Sequence, residues 1–181
     1  NRQSIQNIQP QSSSLIQNNY SNWKSIENEI FVDFETISDI FTDLDDLPFQ
    51  NTTEKVFMIG AGFINIEGSF EYKNFICNQL TFEEENRILV EFLEWLDMRS
   101  NPKIFYWSAE PSIWFRAIKR HNIRSRVLSW CDLYRLFKTE PIVIRGCLDY
   151  SLKSVAKAMK NHNTINCSIE SGAVSSGMMA M

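Results

Sequence analysis

The sequence predicts a mixed α/β fold, and three observations carry that prediction. Apolar, β-favouring runs occur at 29–36, 55–66, 69–76 and 103–107. Segments with helical periodicity follow the third and fourth of them. Glu67-Gly68 supplies a turn between the second and third runs, so these read as a β-hairpin. Together they describe an open sheet that begins as an antiparallel meander, continues into parallel strands and carries helices packed on it.

The first strand, Glu29 to Thr36, holds the motif FVDFET. Asp33 and Glu35 are two positions apart, so a strand places both carboxylates on one face. A hard divalent cation is the usual partner for such a pair. The alternative is a strand whose acids face water. Residues 38–50 carry four more aspartates but lack the glycine and terminal glutamate of an EF-hand loop, and are expected to be a solvated loop or short helix. In the second strand, Gly60 and Gly62 are followed by more strand rather than by a helix. They signal close packing or a bulge better than a phosphate loop, and a nucleotide-binding domain built on them is the poorer reading.

Thr81 and Glu84 form a capping box that opens a helix reaching Asp97. Phe82, Leu89, Phe92, Leu93 and Leu96 make its apolar stripe, and Glu83, Glu85, Arg87, Glu91 and Glu94 are expected on a solvated face. The strand at 103–107 leads to Glu110 and to Pro111, which suits a first helical position. Ile113, Trp114, Ala117 and Ile118 are expected to face inward. Arg116, Lys119, Arg120, Arg124 and Arg126 form a basic cluster that is either a solvated flank or a steering surface for a phosphate backbone. Residues 130–138 read as a further helix, and Ser151 caps the amphipathic segment at 152–160. His121 and His162 are expected at the surface.

Composition narrows the function classes. A chain of 181 residues with 44% hydrophobic and 13% aromatic residues can bury a substantial core. A net charge of −4 excludes a protein that coats nucleic acid by bulk positive charge. It leaves room for an enzyme that holds nucleic acid through metal ions and a local basic patch. The cysteines show no CxxC spacing, which fits reduced thiols in an intracellular, soluble protein. No membrane span or signal pattern is visible. The chain begins at Asn1 and stops at Met181 after an apolar stretch, so a segment of a longer protein is expected. In that view residues 1–26 are a polar connector from a preceding segment or domain, and 27–181 are a domain incomplete at its C-terminus.

The motif FVDFET at the end of a first strand resembles motif one of the DEDD-type 3′–5′ exonucleases, which have the ribonuclease-H-like fold. More narrowly, FVDFET, FMIGAGF, FYWSAE, WCDLY, PIVIRG and SLKSVAKAM, in this order, resemble the exonuclease-like domain of predicted RecB-family nucleases. The resemblance spans roughly 30–181. It implies a phosphodiesterase with two Mg²⁺ or Mn²⁺ ions, one lowering the pKa of an attacking water and the other stabilising the leaving oxygen. Asp33 would bridge the ions and Glu35 would complete one coordination sphere. Glu110 stands where the family has an aspartate. It is either a third ligand, with its oxygens shifted by the extra methylene, or a helix N-terminal acid favoured by the dipole. Asp132 matches an acid near the site in relatives. Arg116, Lys119 and Arg120 would contact nucleic acid. The implied partners are a DNA or RNA 3′ end and flanking nuclease or helicase domains of the same polypeptide. The last family acid would lie beyond Met181, so this chain alone is expected to be poorly active or inactive. The alternative is a ribonuclease-H-like module that binds nucleic acid or a partner domain without cleaving.

Overall fold

Five strands form one mixed sheet in the order β3-β2-β1-β4-β5 in the computed structural model. The structure describes residues 28–37, 54–139 and 142–166. The strands are β1 (Glu29–Ile37), β2 (Lys55–Ile64), β3 (Phe70–Ile76), β4 (Lys103–Tyr106) and β5 (Ser129–Asp132). β1, β2 and β3 pair antiparallel; β1, β4 and β5 run parallel. The α/β class and the meander that continues into parallel strands therefore stand as the sequence predicts. The polar connector, the aspartate-rich segment 38–50 and Cys167 lie outside the described residues.

The helices are α1 (Phe82–Asp97), α2 (Glu110–Arg120), α3 (Leu133–Thr139) and α4 (Leu152–Asn161). Glu27–Asp132 makes one compact unit, and the described residues from Leu133 onward belong to a second. The sheet, α1, α2 and every candidate site residue are in the first.

That unit's core follows from alternation meeting helical period. Ile30, Val32 and Phe34 project from one face of β1 and meet Ile59 and Ala61 of β2, Ile104 of β4, Ile88, Leu89, Phe92 and Leu96 of α1, and Trp114 and Ala117 of α2. Phe34 packs edge-on to Phe92 with ring centroids 5.9 Å apart, and Phe92 meets Trp114 at 5.6 Å. Each such side chain contributes about 1.5–3 kcal/mol on burial, and their shared contacts fix the two helices on this face. The opposite face of β1 presents Phe31, Asp33 and Glu35.

Two expectations change. Residues 130–132 are strand rather than the start of a helix. Backbone pairing of Ile104 with Trp130 and of Phe105 with Cys131 decides this stretch, and the helix begins only at Leu133. A short strand of four residues carries too few positions for alternation to reveal it. The capping box is also only half formed. Thr81 Oγ1 accepts from the Glu84 amide at 3.2 Å, while Glu84 turns to the Asn78 amide and Arg87 instead of back to Thr81.

α2 and α4 end alike. After α2, Asn122 takes φ 52° and Ile123 N–H reaches the Ile118 carbonyl. After α4, Asn163 takes φ 54° and Thr164 N–H reaches the Met159 carbonyl. Both are Schellman closures with asparagine in the left-handed position that glycine commonly fills.

Candidate functional site at the carboxyl ends of the parallel strands

Pairing between β1 and β4 stops at Phe31 and Phe105, one residue after Ile30 and Ile104. Asp33 stands just past that point on β1. Glu110 opens α2 after the turn that follows β4, and Asp132 is the last residue of β5. Three adjacent parallel strands thus each deliver an acid at or after the carboxyl end of their pairing. Open α/β sheets place ligands in that crevice.

Electrostatics ties these acids together. Glu110 is 6% exposed, and its Oε2 accepts the Ser108 amide at 3.0 Å. Burial pushes its carboxyl above the ordinary value; Asp33 and then Asp132 push it further, against the two backbone amides that lower it. Glu110 therefore feels Asp33 and Asp132 as like charges. Both alternatives for Glu110 are visible, since its own backbone amide and that of Ser108 also bond it as a helix-opening acid.

Asp33 is exposed and Glu35 half-buried on one face of β1, as their spacing requires. A β-bulge lies between Glu35 and Thr36, where Glu35 faces Met58 and Thr36 faces Val56. Bulges recur beside functional sites because they re-aim side chains.

The two glycines of β2 open this face. Asp33 pairs with Gly60 and Phe31 with Gly62. A Cβ at Gly60 would overlap the Tyr72 hydroxyl, and one at Gly62 would press on the tip of the Phe70 ring. Both β3 rings thus lean over β2 towards β1, which is the close packing expected of glycines inside a strand. Burial raises the Tyr72 phenol above its ordinary value, followed by Asp33 and Glu35. Tyr72 had no signal in the sequence alone, because its place beside Asp33 depends on strand register.

The basic cluster is largely occupied within the chain. Arg116 pairs with Glu54, Arg120 with Glu85, and Arg126 Nε reaches Asp97 at 2.8 Å. Lys119 is exposed on α2. None of these printed partners is among the four site acids.

Glu85 and His121 correct two expectations. Glu85 is 1% exposed rather than solvated, and His121 is buried rather than at the surface. Glu85 Oε1 accepts the Val56 amide at 2.8 Å, and its Oε2 lies 2.7 Å from His121 Nε2. Glu85 precedes Leu89 by one helical turn and shares the buried stripe; the periodicity that marked Leu89 also placed it there. His162 is exposed, as expected, with Nε2 at 2.8 Å from the Arg145 carbonyl oxygen.

The donor chemistry fits a hard divalent ion. Asp33, Glu35, Glu110 and Asp132 offer carboxylate oxygens, and the raised affinity of Glu110 for a proton is the mark of negative charge that a cation would relieve. Among the described residues, the side chains as placed do not bring three or more such ligands to one point. No protein-family model and no curated protein matches the sequence. No described helix is long and apolar enough to cross a membrane.

Proposed function

We propose that this chain is a metal-dependent 3′–5′ exonuclease domain of ribonuclease-H-like fold, resembling the exonuclease-like domain of RecB-family nucleases and acting within a larger nucleic-acid-processing protein. The observation that carries the proposal is the delivery of Asp33, Glu110 and Asp132 at the carboxyl ends of three adjacent parallel strands, with Glu110 electrostatically coupled to the other two. The meander feeding parallel strands is the sheet this reading expects.

Asp33 and Glu35 would hold Mg²⁺ or Mn²⁺, with Glu110 as a third ligand and Asp132 in support. The bound ions would supply charge neutralisation and Lewis acidity to the phosphodiester. Asp33, exposed on β1, meets the scissile phosphate from the open side of the sheet. The buried Glu110 forms the floor. Its high proton affinity suits it to hold a proton when no cation is present and to give it up when one binds. In hydrolysis a water oxygen bonds to phosphorus as the bond to the leaving 3′ oxygen breaks, and that oxygen takes up a proton. Lys119 remains as an exposed cation near α2 for the backbone, with Arg116 and Arg120 contributing only if they leave Glu54 and Glu85.

One observation favours the second reading, a binding module that does not cleave: Glu110 is already bonded as a helix-opening acid, and the described carboxylates do not converge. The deciding experiment uses 3′- and 5′-labelled single- and double-stranded DNA and RNA, in Mg²⁺ or Mn²⁺, with this chain and with a form extended past Met181. Stepwise shortening that Asp33→Ala abolishes is the expected result. Binding with no cleavage in either form, unchanged by Asp33→Ala, would leave the binding module.

A further inference from the structure

The acid face of the meander carries two aromatic rings with no task in the fold. Phe70 is 65% exposed and Tyr72 59% exposed. They alternate on β3, so both stand on the face of Asp33 and Glu35, whereas Phe75 points into the core. Phe31, on the same face, is already stacked on Phe105 at 5.2 Å. Phe70 and Tyr72 stack on no other ring of the described residues.

Their placement is built. Gly60 and Gly62 remove the two β2 side chains that would otherwise fill this space, and each ring tip occupies the vacated position. The Tyr72 hydroxyl end comes to Gly60, the residue that pairs with Asp33. The rings therefore form a low shelf leading to the acid pair.

Charge decides what such a shelf can hold. The acids repel a phosphate backbone, and Arg116, Arg120 and Arg126 are each engaged with an acid of the chain. Affinity for a polyanion here must come largely from elsewhere. Stacking of bases on aromatic side chains supplies it without regard to sequence. It requires unpaired bases, since the faces of a duplex's bases are already stacked on one another.

We propose that Phe70 and Tyr72 are a stacking platform for the terminal bases of single-stranded nucleic acid, selecting single strands over duplexes and leading the last phosphodiester to Asp33 and Glu35. This deepens the exonuclease reading and rests on it for the direction of the strand, but the platform is measurable by binding alone.

The test is fluorescence anisotropy of the full chain with a fluorescein-labelled single-stranded oligonucleotide, the same oligonucleotide with its two 3′-terminal nucleotides abasic, and a blunt duplex. Ca²⁺ replaces Mg²⁺ to prevent hydrolysis. Phe70→Ala and Tyr72→Ala are each expected to weaken single-strand binding about 5- to 100-fold, while Tyr72→Phe, which keeps the ring, stays within about twofold of the parent. The abasic end should weaken the parent but not the double alanine variant, and the duplex should bind least and ignore all substitutions. Equal single-strand affinity in parent and alanine variants would overturn the platform, as would absence of single-strand binding. So would self-association that Tyr72→Ala abolishes, because the face would then belong to a second copy. The two readings fail separately: cleavage lost in Asp33→Ala with alanine variants binding normally removes only the platform, whereas ring-dependent binding without cleavage removes only the exonuclease.

Discussion

His121 Nε2 lies 2.7 Å from Glu85 Oε2, with both side chains withdrawn from solvent. The pair ties the end of α2 to the start of α1. Through the Val56 amide on Glu85 Oε1 it also holds the first turn of β2. Phe82 covers the imidazole, with ring centroids 3.9 Å apart. Because a carboxylate only accepts, His121 donates from Nε2. A buried acid here is an anchor for three elements, and burial of that kind stands or falls with its partners.

Glu85→Ala should therefore destabilise the chain by about 3 kcal/mol, the scale for removing one member of a buried ion pair. Urea unfolding would measure it. Burial alone would raise the Glu85 carboxyl, but Arg120, His121 and the Val56 amide overcome that and hold it below the ordinary glutamate value. A depressed folded pKa means the stabilisation is complete above the unfolded value, about 4.3. It is lost as pH falls through the lower folded value. The parent should thus lose its advantage over Glu85→Ala only in strongly acidic buffer. An unchanged midpoint at neutral pH would refute the anchor.

Glu110→Gln should act in the opposite sense. Burial, Asp33 and Asp132 raise the Glu110 carboxyl. A raised folded pKa gives its full benefit below the unfolded value and loses it as pH rises through the folded one. Without divalent ions, the glutamine variant should melt higher than the parent at neutral pH and match it in acid. For a chain of this length each kcal/mol moves Tm by about 2–4 °C. A lower Tm for Glu110→Gln in chelator at neutral pH would contradict the coupling.

Metal binding should show in stability even where no substrate is cleaved. An ion held at one hundred times its Kd contributes about 2.7 kcal/mol. Saturating Mn²⁺ should raise Tm of the parent by several degrees, chelator should reverse it, and Asp33→Asn should abolish the response. Asp33 is exposed, so its loss should leave the metal-free Tm nearly unchanged. Equal shifts in parent and Asp33→Asn would place the ion elsewhere.

Gly60→Ala tests the geometry of the acid face. The new methyl would meet the hydroxyl end of an exposed tyrosine, which can swing aside. Stability should change by less than about 1 kcal/mol, while single-strand affinity should fall because Tyr72 no longer leans towards β1. A large loss of stability would show that Tyr72 is fixed by the fold.

Much of the frame was legible in the sequence because alternation and period report burial directly. Ile30, Val32 and Phe34 against Phe31, Asp33 and Glu35 define the two faces of β1, and Leu89, Phe92 and Leu96 define the inner side of α1. What escaped depends on partners distant in sequence. Trp130 and Cys131 extend because β4 lies beside them. Glu85 looks like a solvated charge until Arg120 and His121 are brought to it. The same holds for the site: Asp33 and Glu35 follow from spacing, while Tyr72 requires the register of three strands.

The asparagine closures of α2 and α4 also bear on how the chain can change. Glycine suits the left-handed position better than asparagine, so Asn122→Gly and Asn163→Gly are natural stabilising exchanges. An asparagine codon differs from any glycine codon at both of its first two bases. The single-base intermediates encode aspartate or serine, and serine gives up much of the local tolerance for positive φ that asparagine has. Point mutation thus reaches the better helix stop only through residues that hold the turn no better, and the two helix ends sit at a local optimum of the genetic code rather than of the fold.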